Sequence, residues 1–119
     1  MNNRRINRIS EEIRRELSDL IQNKLKDPRI PDITSVSYVD VTNDLSYATV
    51  GISILGDEDT KQDTIEGLNS AKGFLKKELG QDIKLRVMPE LIFKIDDSIE
   101  RGMELQKLIE EVRAEDEDA

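Results

Sequence analysis

Eight basic side chains, in two groups, have the charge and the spacing to contact phosphate groups. Arg4, Arg5 and Arg8 lie together near the start of the chain, where no acidic residue occurs before Glu11. The second group comprises Lys72, Lys76, Lys77, Lys84 and Arg86. Arg and Lys contacts to phosphate hold a nucleic-acid backbone without reading its bases. We therefore predict that these eight residues bind RNA.

The charge pattern supports local contacts of this kind, although the net charge of −8 taken alone argues against nucleic acid. The net charge is +3 over residues 1–29, −7 over 30–69, +3 over 70–94 and −7 over 95–119. Because a polyanion responds to the local field, the two basic blocks can attract RNA if they share a surface. Four aromatic residues are too few for a stacking platform, so contacts to the shape and backbone of folded RNA are favoured.

Other chemistry finds little support in the sequence. There is no Cys or His, and no glycine spacing matches a phosphate-binding loop, so we predict a non-enzymatic protein without cofactor or metal. The acidic residues 57–59 fit a solvated loop better than a cation site. No apolar run approaches the length of about 20 residues that spans a bilayer, and no secretory signal is recognisable. A cytoplasmic monomer without membrane contact is the expectation.

Hydrophobic periodicity predicts a single two-layer α+β domain. The expected elements are a helix over 3–26, a β-hairpin over 33–42 and 45–55, a helix from Thr60 that ends at Gly80, a strand over 91–96 and a capped helix over 98–113. The last helix is expected to bury Ile99, Met103, Ile109 and Val112. The acidic residues 114–119 are predicted to be disordered.

Two positions allow alternative interpretations. Gly73 lies inside a helix, where glycine costs about 1 kcal/mol relative to alanine. Either Ala71-Lys72-Gly73 forms a bend whose free N–H groups help to bind phosphate, or Gly73 allows close packing on the sheet. Arg15 lies between Glu11 and Asp19, and an ion pair on the helix surface is favoured there over a phosphate contact.

The sequence also resembles the ribosome-binding factor A family of bacterial small-subunit assembly factors. The resemblance covers nearly the whole chain and rests on five segments in order: RRINRISEEIRRELSDLI, KDPRI, VDVTNDLSYATVGISILG, NSAKGFLKKELG and MPELIFKIDDSIERG. It implies a type II KH-like fold, α–β–β–α–(kink)–α–β followed by a C-terminal helix. The kink takes the form A-x-G, here Ala71-Lys72-Gly73. The implied domains are a KH-like RNA-binding domain over 1–97, a helix over 98–113 packed on or beside it, and the tail 114–119.

The function implied by the resemblance is binding to the small (30S) ribosomal subunit and its 16S rRNA during late maturation. It includes assistance with 16S rRNA processing and subunit assembly, a role in growth in the cold, and release associated with a ribosome-assembly GTPase. The alternative is a protein-interaction module, in which the acidic loop or the C-terminal helix docks a basic ribosomal protein. The two −7 segments motivate this alternative.

Overall fold

The computed structural model describes residues 3–118, and its elements follow the expected order. They are α1 (Asn3–Asn23), β1 (Ser35–Val41), β2 (Tyr47–Ser53), α2 (Glu58–Ser70), α3 (Lys72–Asp82), β3 (Glu90–Ile95) and α4 (Ser98–Asp118). Three residues lie outside the described range: Met1 and Asn2, the first residues of the predicted domain, and Ala119, the last residue of the predicted tail. This order and the break between α2 and α3 agree with the predicted KH-like arrangement.

The three strands form one sheet in the order β1-β2-β3. β1 and β2 are an antiparallel hairpin, whereas β3 runs parallel to β2 after the two-helix crossover. Leu45 closes the hairpin turn with a φ of 63°, a left-handed conformation that side chains rarely adopt. The Asp44 carboxylate supports the turn by accepting the Ser46 N–H at 3.0 Å and the Thr42 hydroxyl at 2.8 Å. β3 is therefore an edge strand, and Pro89 directly precedes it, a position that suits a residue without an N–H to donate.

One face of the sheet carries the core, which confirms the two-layer prediction. The apolar stripe of α1, including Ile13 and Leu17, is fully buried and belongs to the same cluster as Val50 and Ile52 of β2. Leu68 of α2 and the α3 residues Leu75 and Leu79 complete this layer. Because α1, α2 and α3 all contribute to this cluster, the first half of α1 lies close to the C-terminal end of α3. The two helices can therefore share a surface.

Several predicted boundaries differ from the structure for local reasons. α1 ends at Asn23, the two hairpin strands are shorter than predicted, and β3 is displaced by one residue toward the N-terminus. α2 begins at Glu58 because the Asp57 carboxylate caps it, accepting the Thr60 N–H at 2.8 Å. The prediction that a helix ends at Gly80 is wrong. α3 continues to Asp82, and no glycine among residues 3–118 has a positive φ.

The C-terminal helix departs most from expectation. Its predicted core residues are exposed, with fractions of 60% for Ile99, 64% for Met103, 38% for Ile109 and 50% for Val112. The burial prediction is therefore wrong: α4 presents these side chains to solvent from its first turn onward. The helix also continues from residue 113 to Asp118, through most of the segment predicted to be disordered.

Candidate nucleic-acid interface

A cavity of about 640 Å³ lies between the start of α1 and the segment that follows α3, and we call it the basic groove. Ile9 and Ile83, both buried, provide its apolar part. The other lining residues are Arg4, Arg5, Arg8, Glu12, Lys84 and Leu85. Four cations thus face one cavity with a single carboxylate among them. A groove with this charge can accept the phosphates of a nucleic-acid backbone.

The periodicity of α1 positions three of these cations. Its apolar residues recur every three or four positions and face the sheet, so Arg4 and Arg8 are left exposed on the outer side. The Ser10 hydroxyl accepts the Val41 N–H at 3.3 Å and ties this half of α1 to the end of β1. Lys84 reaches the groove because α3 ends at Asp82 and the extended Ile83 turns the chain toward α1.

The two lysines Lys72 and Lys76 form a separate cluster at the start of β3. Lys76 Nζ lies 3.1 Å from one Glu90 carboxylate oxygen, and Lys72 Nζ lies 3.9 Å from the other. The sequence pattern predicted that both lysines contact RNA but did not reveal this carboxylate partner. Exposed ion pairs contribute only about 0–1 kcal/mol each, so a phosphate can replace Glu90 at small cost.

Lys77 and Arg86 are exposed and do not line the groove. Arg86 lies on the segment 83–89, which starts at the groove and leads to Glu90, the partner of Lys72 and Lys76. The eight predicted residues are therefore not gathered into one site. Four line the groove, two lie at Glu90, Arg86 lies on the connecting segment, and Lys77 is exposed on α3.

The kink between α2 and α3 lies at Ala71, whose φ of −90° and ψ of 2° depart from helical values. Its N–H still donates to Gly67 and Leu68 carbonyls at 3.1 Å, so the chain bends without losing the last turn of α2. No side chain caps the start of α3. A Cβ added at Gly73 would meet nothing within 4 Å, which argues against the interpretation that Gly73 allows close packing.

Acidic side chains border the basic residues along α1. Arg15 Nε lies 3.8 Å from Glu11, as the predicted ion pair requires, and Arg14 donates to the same carboxylate. Interaction with the neighbouring Asp82 carboxyl, together with burial, raises the pKa of Glu16. These acids mark the limit of the positive surface toward the middle of α1.

The predicted acidic loop is mainly the start of α2. Asp57 is its cap, and Glu58 and Asp59 occupy its first turn, where the helix dipole favours negative charge. Among the side chains described in this structure, no group of three metal-binding residues is close enough to hold an ion. Within the described part of the chain, no helix has the length and hydrophobicity needed to cross a membrane.

Lys61 was not identified from the sequence, although it is only 7% exposed. Its Nζ lies 2.8 Å from Glu100 and 3.8 Å from Glu58, so it joins the first turn of α4 to α2. The Glu100 hydrogen bond raises the pKa of Lys61. A lysine on the buried face of an amphipathic helix indicates that a carboxylate lies nearby. The sequence does not reveal which carboxylate this is.

Comparison with known proteins identifies the family. A family model described as ribosome-binding factor A matches residues 5–109. The chain belongs to the ribosome-binding factor A family. The match includes every predicted RNA-binding residue except Arg4.

Individual relatives agree with this assignment. The ribosome-binding factor A of Acetivibrio thermocellus is 52% identical over 111 residues, which are 93% of this chain and 90% of that protein. A solution structure from Thermotoga maritima, described as a putative ribosome binding factor A, is 35% identical. It aligns with a TM-score of 0.67 over 73% of this chain and 82% of that one. This likeness supports the KH-like fold.

A third similar structure comes from Thermus thermophilus. It is a homology model of ribosome binding factor A, fitted into a cryo-EM map of a complex of that protein with the 30S subunit. It is 24% identical and aligns with a TM-score of 0.65 over 77% of this chain and 96% of that one. At this level of identity, the comparison shows a shared fold.

Proposed function

We propose that this chain is a non-enzymatic assembly factor that binds the small ribosomal subunit through the 16S rRNA. The basic groove carries the proposal, since Arg4, Arg5, Arg8 and Lys84 face one cavity in a chain of net charge −8. The 30S complex of the Thermus thermophilus relative supports the same partner. Lys72, Lys76 and Lys77 extend the contact along α3, and Arg86 extends it along the following segment.

The mode of binding follows from the side chains available. The lining cations are suited to phosphate, and the exposed Tyr38 and Tyr47 belong to the sheet rather than to the groove. Contacts of this kind favour folded RNA of a particular shape over a particular base sequence. The uncapped start of α3 adds backbone N–H groups near Lys72, where helix termini attract anions.

The finer parts of the proposal are late maturation, 16S rRNA processing, a role in cold growth and release with a ribosome-assembly GTPase. The family resemblance supports them. We place the protein in the cytoplasm as a monomer. The processing and cold roles are tested by measuring precursor 16S rRNA at low temperature in cells that lack the protein and in cells complemented with binding variants. Precursor levels unaffected by the loss would remove the processing role.

The RNA contact is tested with Arg8→Glu/Lys84→Glu, which reverses two exposed cations of the groove. We expect affinity for isolated small subunits to fall by about tenfold or more. The slope of log affinity against log salt should shrink by about 0.7–0.9 for each phosphate that the variant no longer neutralises. Sedimentation with small subunits at several salt concentrations measures both quantities.

The matched control is Lys26→Glu/Arg113→Glu, which changes the net charge equally at exposed positions outside the groove. It should bind subunits within about twofold of the unmodified chain if the effect is local. Equal decreases in both double variants would show that net charge, rather than the groove, controls binding. Unchanged binding by the groove variant would overturn the proposed contact.

A further inference from the structure

A second cavity, of about 250 Å³, lies where α4 leaves the domain, and we call it the α4 groove. Three exposed apolar side chains line it: Ile33 and Leu55 are each 65% exposed, and Ile99 is 60% exposed. The remaining lining residues are Ser35, Ser53, Ile54, Asp96 and Glu100. Met103, one turn further along α4, is 64% exposed and continues the apolar surface away from the domain.

Carboxylates border this apolar surface. Asp96 is held in place by the Ser37 hydroxyl, which donates at 2.7 Å, and by the Ser98 N–H at 3.1 Å. These bonds lower the pKa of Asp96 because they favour its ionised form. The Lys61 contacts bring Glu58 next to Glu100. The structure thus joins the two −7 segments of the sequence, 30–69 and 95–119, at one groove.

The composition of the groove restricts its partner. RNA is repelled by the bordering carboxylates and gains little from contact with Ile33, Leu55 and Ile99. A second copy of this chain would bring the same acidic surface against itself, which is unfavourable. A peptide with apolar side chains on one side and Lys or Arg on the other satisfies both the apolar wall and the acidic border.

We propose that the α4 groove binds a basic, amphipathic segment of a small-subunit protein. The apolar side chains of that segment would contact Leu55, Ile99 and Met103, and its cations would face Asp96, Glu58 and the exposed acids of α4. The choice of a subunit protein as the source rests on the proposed function, whereas the chemistry of the segment rests on the groove itself. The protein therefore contacts the subunit through two surfaces of opposite charge.

The first test uses the full chain and a fluorescent synthetic peptide whose Leu and Lys residues alternate to give one apolar and one basic face. Fluorescence anisotropy should detect binding, and Leu55→Ser/Ile99→Ser should weaken it by about tenfold because two apolar side chains no longer cover the peptide. Val87→Ser is the control, since Val87 is 66% exposed but does not line this groove. Equal binding by the groove variant and the control would overturn the proposal.

The charge requirement is tested separately. Glu58→Lys should weaken binding of the basic peptide by several-fold at low salt, whereas Asp40→Lys, at an exposed position near the other end of β1, should have little effect. A peptide with Glu in place of every Lys should not bind. Equal binding of the acidic and basic peptides would contradict a groove that selects cations.

The source of the partner is tested with a photo-crosslinking amino acid at position 55 in the full chain, bound to isolated small subunits. A crosslink to a basic segment of a subunit protein supports the proposal. Crosslinks only to RNA, only to a second copy of this chain, or to no protein while the subunit is bound would overturn it. Failure of the unmodified chain to bind subunits would instead reject the proposed function, so the two failures are distinguishable.

Discussion

The basic groove and the α4 groove lie at opposite ends of β1. Ser10 ties the basic half of α1 to Val41 at the end of this strand, while Ser35 at its start lines the α4 groove. Cations make up half of the residues that line the first cavity, of about 640 Å³, whereas the second, of about 250 Å³, has an apolar wall with a carboxylate border. The fold thus separates the alternating charge blocks of the sequence in space.

This contrast reconciles the proposed RNA contact with the net charge of −8. The negative charge is concentrated in α4 and the start of α2, and the cations of α1 and Lys84 face a different cavity. Screening over about 8 Å at physiological ionic strength weakens the influence of one surface on the other. Each groove can therefore be altered by local substitutions.

The largest expected effect concerns the sheet that both grooves share. Gly51 of β2 lies under the Tyr38 ring, and a Cβ at this position would overlap the ring atoms. We expect Gly51→Ala to displace the ring and to lower the free energy of unfolding by about 1–2 kcal/mol. Urea denaturation measures this change, and both grooves should be affected together.

A second substitution identifies the cause of that destabilisation. In a Tyr38→Ala background the ring is absent, so Gly51→Ala should cost much less than it does in the unmodified chain. Equal costs in the two backgrounds would show that overlap with the Tyr38 ring is not the cause of the destabilisation.

The next effect is smaller and has the opposite sign. Gly73 is helical and exposed, and a Cβ there meets nothing within 4 Å. Gly73→Ala should therefore raise the free energy of unfolding by about 0.5–1 kcal/mol. Thermal and urea denaturation measure this change. A decrease in stability would show that Gly73 has a structural role that its open surroundings do not reveal.

Subunit binding by Gly73→Ala then separates two roles for the bend. If binding to small subunits is unchanged, the kink at Ala71 is sufficient and Gly73 has no special function. If binding falls although stability rises, α3 must adjust its start when it meets RNA. The peptide that probes the α4 groove should bind the variant normally in either case.

The sequence predicted local structure better than contacts between distant elements. The stripe of α1 and the hairpin follow from short-range periodicity and residue type, whereas the kink was implied by the family resemblance and not by periodicity, which indicated one continuous helix. All three features are present in the structure. The lysine partners Glu90 and Glu100 could not be found, because each lies 14 or more residues from its lysine. Arg4 and Lys84 share a groove only because the core brings the start of α1 close to the C-terminal end of α3.

The burial of α4 could not be predicted for a related reason. Its apolar residues do not form a single stripe: Ile99 and Met103 lie on one side, and Leu105, Leu108 and Val112 lie on another. Apolar content alone indicated a buried helix, yet all of these residues are exposed. An apolar residue indicates that a contact is favourable, but not whether the chain itself or a partner provides that contact.

The smallest expected effect comes from Glu90, whose carboxylate forms ion pairs with Lys72 and Lys76 of α3. Glu90→Gln removes the charge that faces Lys72 and Lys76 but keeps the Glu90 N–H, which donates to Ser46 O at 2.9 Å in the sheet. We expect affinity for small subunits to rise by about two- to fivefold, because phosphate no longer competes with an internal ion pair. Sedimentation at low salt measures the change, and the neutral Asp40→Asn is the control.

An equal gain in affinity in both variants would reflect net charge alone. No gain in either would place these lysines outside the RNA contact and leave the groove formed by Arg4, Arg5, Arg8 and Lys84 as the principal binding surface.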